Sequence, residues 1–418
     1  MKQENSYTLG IFTLTMLFVI CGFTMWLNAT LVPYLKVACE LSNVQAYFVT
    51  LVFYLACAAA VFPSLRLLSN AEPAGGMAIG LMSMAAGALI FIPAALLRTY
   101  PLFLLGLLVA GAGLGLLQVA AGTCASALGA SARALRRRNA LHICGTVAGV
   151  AGTLAVGSIL FYKIDSLEAS IRIAEGASRA AELDTLAHKV VLPYLVITLT
   201  LLAAAVWVKY SPLPNTGVER SGAQEAGGGN AAHPLRLGLG ALALFLYVGA
   251  EVTGVVSIAL YGKSVGISLA VASALPACAL LVAVLGCLLG AAVVPKHIDG
   301  MRAVGVCAAL GVIFAVAAVL APDGASVAFV ALLGLSASPA WLLASSLTAK
   351  AGRSLGARAV ALAAGALGGA LLPLAYGYLA DTVGNRHAYW LLAPCYAAVL
   401  LYAVFSFPAA KKNTPPQN

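Results

Sequence analysis

The chain has 418 residues, of which 62% are hydrophobic and 9% charged, against roughly 25% charged in soluble domains. This excludes an aqueous globular fold, and apolar runs recurring from Leu9 to Phe407 are too long for a membrane β-barrel, whose strands run about 10 residues. The formal net charge of +10 sits in the breaks between those runs, which makes it a signal of membrane topology rather than a nucleic-acid patch.

Helices are the remaining way to satisfy a backbone in lipid, and about twelve are predicted by the 20-residue criterion. The first covers 9–33. It is too long for a signal-peptide core and no small-residue cleavage site follows, so it is expected to remain as a membrane helix. Asn28 within it is an amide suited to sugar hydroxyls, and Trp26 offers a flat face on which a sugar ring could stack. Asn28-Ala29-Thr30 matches a glycosylation sequon only by chance, because it lies at membrane depth. The second and third helices are predicted over 46–69 and 75–97. In the fourth, 101–129, Gly111-Ala112-Gly113-Leu114-Gly115 superficially resembles a phosphate loop but lacks the preceding strand. Small residues there predict close helix packing, and Gln118 supplies a second amide. The fifth, 139–162, begins just past Arg138, with His142 near its entrance. Histidine titrates near neutrality, which suits a gate or proton relay as well as a hydrogen-bonded cavity residue.

Between Lys163 and Lys189 basic and acidic residues alternate with apolar ones at helical spacing, which predicts a short amphipathic helix on the membrane surface or in solvent. The sixth span follows over 190–209. Residues 211–235 contain Pro212, Pro214 and Gly227-Gly228-Gly229-Asn230, a linker composition. This segment divides the chain into two six-helix bundles, 1–210 and 236–418.

The seventh span, 236–262, carries Glu251 about halfway along; the other thirteen of the fourteen acids fall in breaks or at helix ends. Acids at membrane depth are expensive and mark ion or substrate paths. In low dielectric such a carboxyl can hold a proton and release it when the surroundings open to water. Glu251 therefore reads as a coupling-ion site for a proton or other cation, or alternatively as a structural carboxyl bonded to a neighbouring helix. The remaining spans are predicted over 267–294, 301–321, 325–350, 356–380 and 387–407. Tyr247, Trp341 and Tyr376, on the seventh, tenth and eleventh, are further candidate stacking faces. Each alone could equally be packing or part of an interfacial belt.

Phe18-Val19-Ile20-Cys21-Gly22 is faintly like Leu246-Tyr247-Val248-Gly249, and Leu128-Gly129-Ala130 like Leu355-Gly356-Ala357. Two six-helix repeats related by an axis along the membrane normal are an expected transporter pattern. With an even span count both termini share a side, and sixteen of the twenty-four Lys and Arg residues collect there. Both termini are expected to be cytoplasmic. The nine cysteines, all but Cys39 within apolar segments, read as small core residues, and the five scattered histidines show no metal-ligand spacing. No metal or other cofactor is expected, and no nucleophile–base pair suggests an enzyme.

Leu27-Asn28-Ala29-Thr30-Leu31-Val32-Pro33, the fourth-span run from Gly111 through Gln118 to Ala121, Tyr247-Val248-Gly249-Ala250-Glu251, and Gly368-Gly369-Ala370-Leu371-Leu372-Pro373 through Gly377, Asp381 and Gly384 together resemble the fucose permease and glucose/galactose permease family of the major facilitator superfamily. The likeness runs over nearly the whole chain. It implies twelve helices, an alternating-access cavity between the halves, and sugar symport. The family's pattern has an aspartate where this chain has Ala29, a glutamate at Gln118, a glutamine at His142 and an asparagine at Gly145. The resemblance thus carries only hydrogen bonding to Gln118 and no proton role to Ala29. The expectation is a monomeric inner-membrane transporter of a small polar nutrient, a hexose-type sugar, with possible proton or sodium symport. The alternatives are an uncoupled facilitator or exporter of a less polar solute, and a nutrient receptor that does not transport.

Overall fold

A computed structural model describes residues 2–70, 73–127, 134–211, 234–294, 298–337, 343–344 and 355–406. The first span is broken: α1 (Lys2–Trp26) and α2 (Asn28–Ala38) meet at a turn on Leu27. Then come α3 (Asn43–Asn70), α4 (Pro73–Leu96), α5 (Tyr100–Ala127) and α6 (Ala134–Leu160). The polar segment before the sixth span forms two helices, α7 (Ile164–Ile173) and α8 (Gly176–His188), rather than the single one predicted. Ala174 and Glu175 are extended and Gly176 takes φ +53°, which ends one helix and starts the next. α9 (Val191–Tyr210) completes the first half.

The second half holds α10 (Pro234–Ser264), the short α11 (Leu269–Ala272) leading into α12 (Leu275–Val293), α13 (Gly300–Leu320), α14 (Asp323–Ala337), α15 (Leu355–Val383), and a 3-10 turn (His387–Leu391) running into α16 (Leu392–Phe405). Among the described residues, eleven helical segments are long and apolar enough to cross a membrane, and Asp323–Ser336 is a shorter apolar helix. With that helix, the described residues hold about twelve spans, as predicted. Most of the 211–235 linker lies outside the described residues.

Large apolar side chains such as Leu97, Leu199, Leu285 and Phe405 point outward, as a lipid-facing surface requires. Several hydroxyls inside the spans bond back to their own helix: Thr13 to the Leu9 carbonyl, Thr198 to Tyr194, Thr253 to Gly249 and Ser257 to Thr253. Helix contacts are made close by small residues. α4 and α5 interlock through Gly80 with Gly113 and Gly87 with Gly106, where an added Cβ would lie within 3 Å of the facing carbonyl oxygen.

The weak internal likeness corresponds to one repeated crossing. Gly22 of α1 lies against the backbone of Gly145 in α6, and Gly249 of α10 against Gly368 in α15. Tyr34 and Lys36 stand as far past Gly22 as Tyr261 and Lys263 stand past Gly249. The first and seventh spans are thus the same element used twice, each crossing the fifth span of its own half.

Candidate functional site

The two halves meet along α3 against α15 and α6 against α12, with α2 touching α10. Glu251 lies in the middle of α10, two residues past the Gly249 crossing, and keeps partial exposure where its neighbours Ala250 and Val252 have none. Its carboxylate is within electrostatic reach of Tyr247 on its own helix, Tyr396 of α16, Cys287 of α12 and, from the other half, Tyr54 of α3. The Tyr54 hydroxyl is buried without a hydrogen-bond partner, and its ring packs 3.2 Å from where a Cβ on Gly369 would stand. An acid from one half and an unsatisfied phenol from the other therefore share the middle of the interface. Sequence reasoning missed Tyr54, because nothing in an apolar span distinguishes a tyrosine that faces a partner helix from one that faces its own bundle.

Gln118 of α5 is half-buried, its amide nitrogen 4.0 Å from the Met25 sulfur. His142 of α6 is also half-buried, one turn before Thr146, whose hydroxyl donates to the His142 carbonyl. Asn28 turns into its own bundle: its Nδ2 donates to the Met25 carbonyl at 3.1 Å, while its Oδ1 is buried and unpaired. It lines a narrow apolar cavity with Thr24, Phe53, Met84 and Phe91.

The candidate stacking faces are packed in this conformation. Trp26 is 2% exposed and covers Gly149; Tyr247 is fully buried, its hydroxyl donating to the Ser336 carbonyl. Tyr376 is fully buried between Tyr47 and Tyr389, with ring centroids 5.7 and 4.9 Å away. Trp341 lies outside the described residues. Among the described residues no three His, Cys, Asp or Glu side chains gather closely enough to share a metal ion.

On the face that carries α7 and α8, polar contacts join the halves. The Asp381 carboxylate, at the end of α15, accepts from the Val44 backbone N–H at 3.0 Å and the Asn43 side chain at 2.7 Å; Lys36 donates to the same Asn43 side chain. Across the interface, Asp165 of α7 accepts from the Leu269 N–H at 3.0 Å, and both Glu168 oxygens accept from Lys263, at 2.7 and 2.8 Å. α8 is tied to its own half by Arg179 to Glu40 at 2.5 Å and Asp184 to Arg98 at 3.5 Å. Glu40 and Arg98 both hold the left-handed backbone conformation, as does Lys163 before α7, a sparsely populated region for such residues that surrounding contacts must hold in place.

No protein-family model matches the chain. It is 30% identical over 256 residues to a glucose/galactose transporter of Brucella abortus, covering 60% of this chain and 58% of that protein. It is 26% identical over 258 residues to the L-fucose-proton symporter of Escherichia coli, covering 60% and 58%. The chain thus matches less than two thirds of the length of these curated relatives. The solved structure of the E. coli fucose:proton symporter superimposes with a TM-score of 0.72 at 21% identity, over 96% of this chain and 99% of that one. The xylose transporter of E. coli, in a partially occluded inward-open conformation, gives 0.59 at 16% identity over 97% and 100%. The chain has the major facilitator fold, and the resemblance read from its motifs is borne out.

Proposed function

We propose that this protein carries a hexose-type sugar across a bacterial inner membrane by alternating access, with a proton as the coupling ion and a monomer as the working unit. The observation that carries the reading is Glu251, a carboxyl in the middle of a span, at the interface of the halves and still partly exposed. Relatives named as glucose/galactose and fucose-proton transporters support the substrate class. In this reading Gln118 and His142 from the first half and Glu251 from the second contact the sugar or its ion. Asn28 and the aromatic residues Trp26, Tyr247, Trp341 and Tyr376 shape the walls. Tyr54, whose buried hydroxyl has no partner, joins the set as a candidate hydrogen-bonding group.

The distribution of Lys and Arg supports cytoplasmic termini and an outward α7–α8 face. Cysteines introduced near Arg137 should be labelled only from the cytoplasm and near Glu175 only from outside. Labelling of both from one side would overturn the two-bundle topology of 1–210 and 236–418 joined by 211–235.

The transport test is reconstitution into vesicles followed by counterflow of labelled glucose, galactose and fucose. Expected is saturable exchange of at least one, accumulation under an inward proton gradient, and collapse of that accumulation by a protonophore. Accumulation driven by sodium alone would reassign the ion. A second reading, uncoupled facilitation, is favoured by Ala29 and Gln118 standing where the resembling family has acids; it predicts exchange without accumulation.

A further inference from the structure

We propose that the outward face is held shut by two matched latches, and that opening the site to the outside requires both to break. The first is Asp381 on the start of α3; the second is Asp165 with Glu168 on the α10–α12 corner. The proposal rests on the alternating-access reading, and it concerns groups far from the sugar site.

The two sets of contacts correspond under the internal repeat. Asp381 follows the eleventh span and receives the first N–H groups of the second span. Asp165 follows the fifth span and receives the first N–H groups leading into the eighth, from Leu269 at 3.0 Å and Ala270 at 3.4 Å. Each acid comes from one half and binds backbone of the other. Beside each stands the lysine that ends the first or the seventh span, Lys36 near Asn43 and Lys263 on Glu168. Charge-assisted bonds to backbone N–H groups are among the stronger hydrogen bonds, and the bidentate Glu168–Lys263 pair is only partly exposed, at 20% and 31%.

The halves also fit closely under the latches. Tyr47 of α3 covers Gly377 of α15, and Gly157 of α6 approaches the Ser273 carbonyl at the head of α12. The ties from Glu40 and Arg98 anchor α8, and α8 in turn anchors α7, so that the second latch pulls on the first half rather than on a free loop. Outward opening must separate α3 from α15 and α6 from α12, and neither pair can part while its acid remains bound.

Ser273→Cys supplies a reporter, since residue 273 is buried at the seam. Its labelling by a membrane-impermeant maleimide added to intact cells is compared, in the full chain, between the latch variants and the reporter parent with both latches intact, after subtracting the label taken up by the chain's own cysteines in the absence of Ser273→Cys. Expected is about threefold faster labelling for Asp381→Ala or for Glu168→Gln with Asp165→Asn, and about tenfold when both latches are cut, from the usual strength of partly exposed pairs and their additivity at separate sites. Where Asp381→Ala fails to reach the membrane, Lys263→Gln tests the second latch alone. Labelling no faster than in the reporter parent with both latches cut overturns the proposal. Labelling needs no sugar, so faster labelling in a protein that exchanges none of the tested sugars leaves the latches standing and removes the sugar reading instead.

Discussion

The two halves share a helix crossing and differ in what stands beside it. Gly22 meets Gly145 in the first half and Gly249 meets Gly368 in the second, each placing one backbone directly on another. Two residues past the crossing the first half has Thr24, which lines a narrow apolar cavity, while the second has Glu251, a carboxyl that keeps partial exposure. The crossing recurs because packing demands it; no helix pair can approach so closely with a side chain in between. Nothing in the packing demands an acid, and the first half has Thr24 at the matching position instead. Packing accounts for what the halves have in common, and the polar residue that separates them is the better guide to function.

Breaking the shared feature should have the largest effect. Gly368→Leu would drive a side chain into the Phe245 carbonyl, and overpacking a closed contact typically costs about 1–3 kcal/mol or more. With backbone rather than a flexible side chain as the obstacle, the expected outcome is loss of monodisperse protein in detergent. Gly290→Ala, where an added Cβ meets nothing within 4 Å, should leave the elution profile unchanged. If both variants behave like the parent, the crossing is not the constraint it is taken to be.

Removing the distinguishing feature comes next. Glu251→Gln keeps the volume and removes the titrating proton, so uphill accumulation should fall to the equilibrium level while exchange continues, because exchange requires rocking but no proton release. Equal accumulation by the variant and the parent would place coupling elsewhere. A smaller effect is expected in the first half: His142→Ala should lower the rate of sugar exchange by a few fold with normal expression. An unaltered rate makes His142 structural. The smallest change is expected at Tyr247→Phe, which loses the hydroxyl bonded to the Ser336 carbonyl. About 1 kcal/mol of stability should go with it, read as a lower thermal midpoint with transport rates near those of the parent.

Span positions were legible because length and apolarity alone define them, and the Phe18–Gly22 and Leu246–Gly249 likeness announced the repeat before its crossing was visible. Glu251 was legible for the same reason, since an acid within an apolar run has no solvent to face. The aromatic residues were harder: Trp26, Tyr247 and Tyr376 are all packed here, and which side of a helix a ring occupies depends on neighbours far away in the chain. The break at Leu27 carried no Pro or Gly signal. The latches were illegible as such. Asp381 stood out within a Gly377 to Gly384 motif, but its partners at Asn43 and Val44 are set by tertiary docking, and Glu168 read as one charge among many in an amphipathic segment.

The glycine seam between α4 and α5 bears on the order in which the chain is assembled. These helices are consecutive, separated only by Leu97 to Thr99, and their contact through Gly80, Gly87, Gly106 and Gly113 is complete without any later residue. Close packing of small side chains is a principal source of helix association in lipid, so the hairpin is expected to form as soon as its second helix has left the translocon. α9 then has a finished surface to dock on: Tyr194 lies flat on Phe91 at 4.1 Å. Chains halted shortly after α5 should already cross-link between engineered cysteines flanking the seam, making this pair the point from which synthesis builds the first bundle.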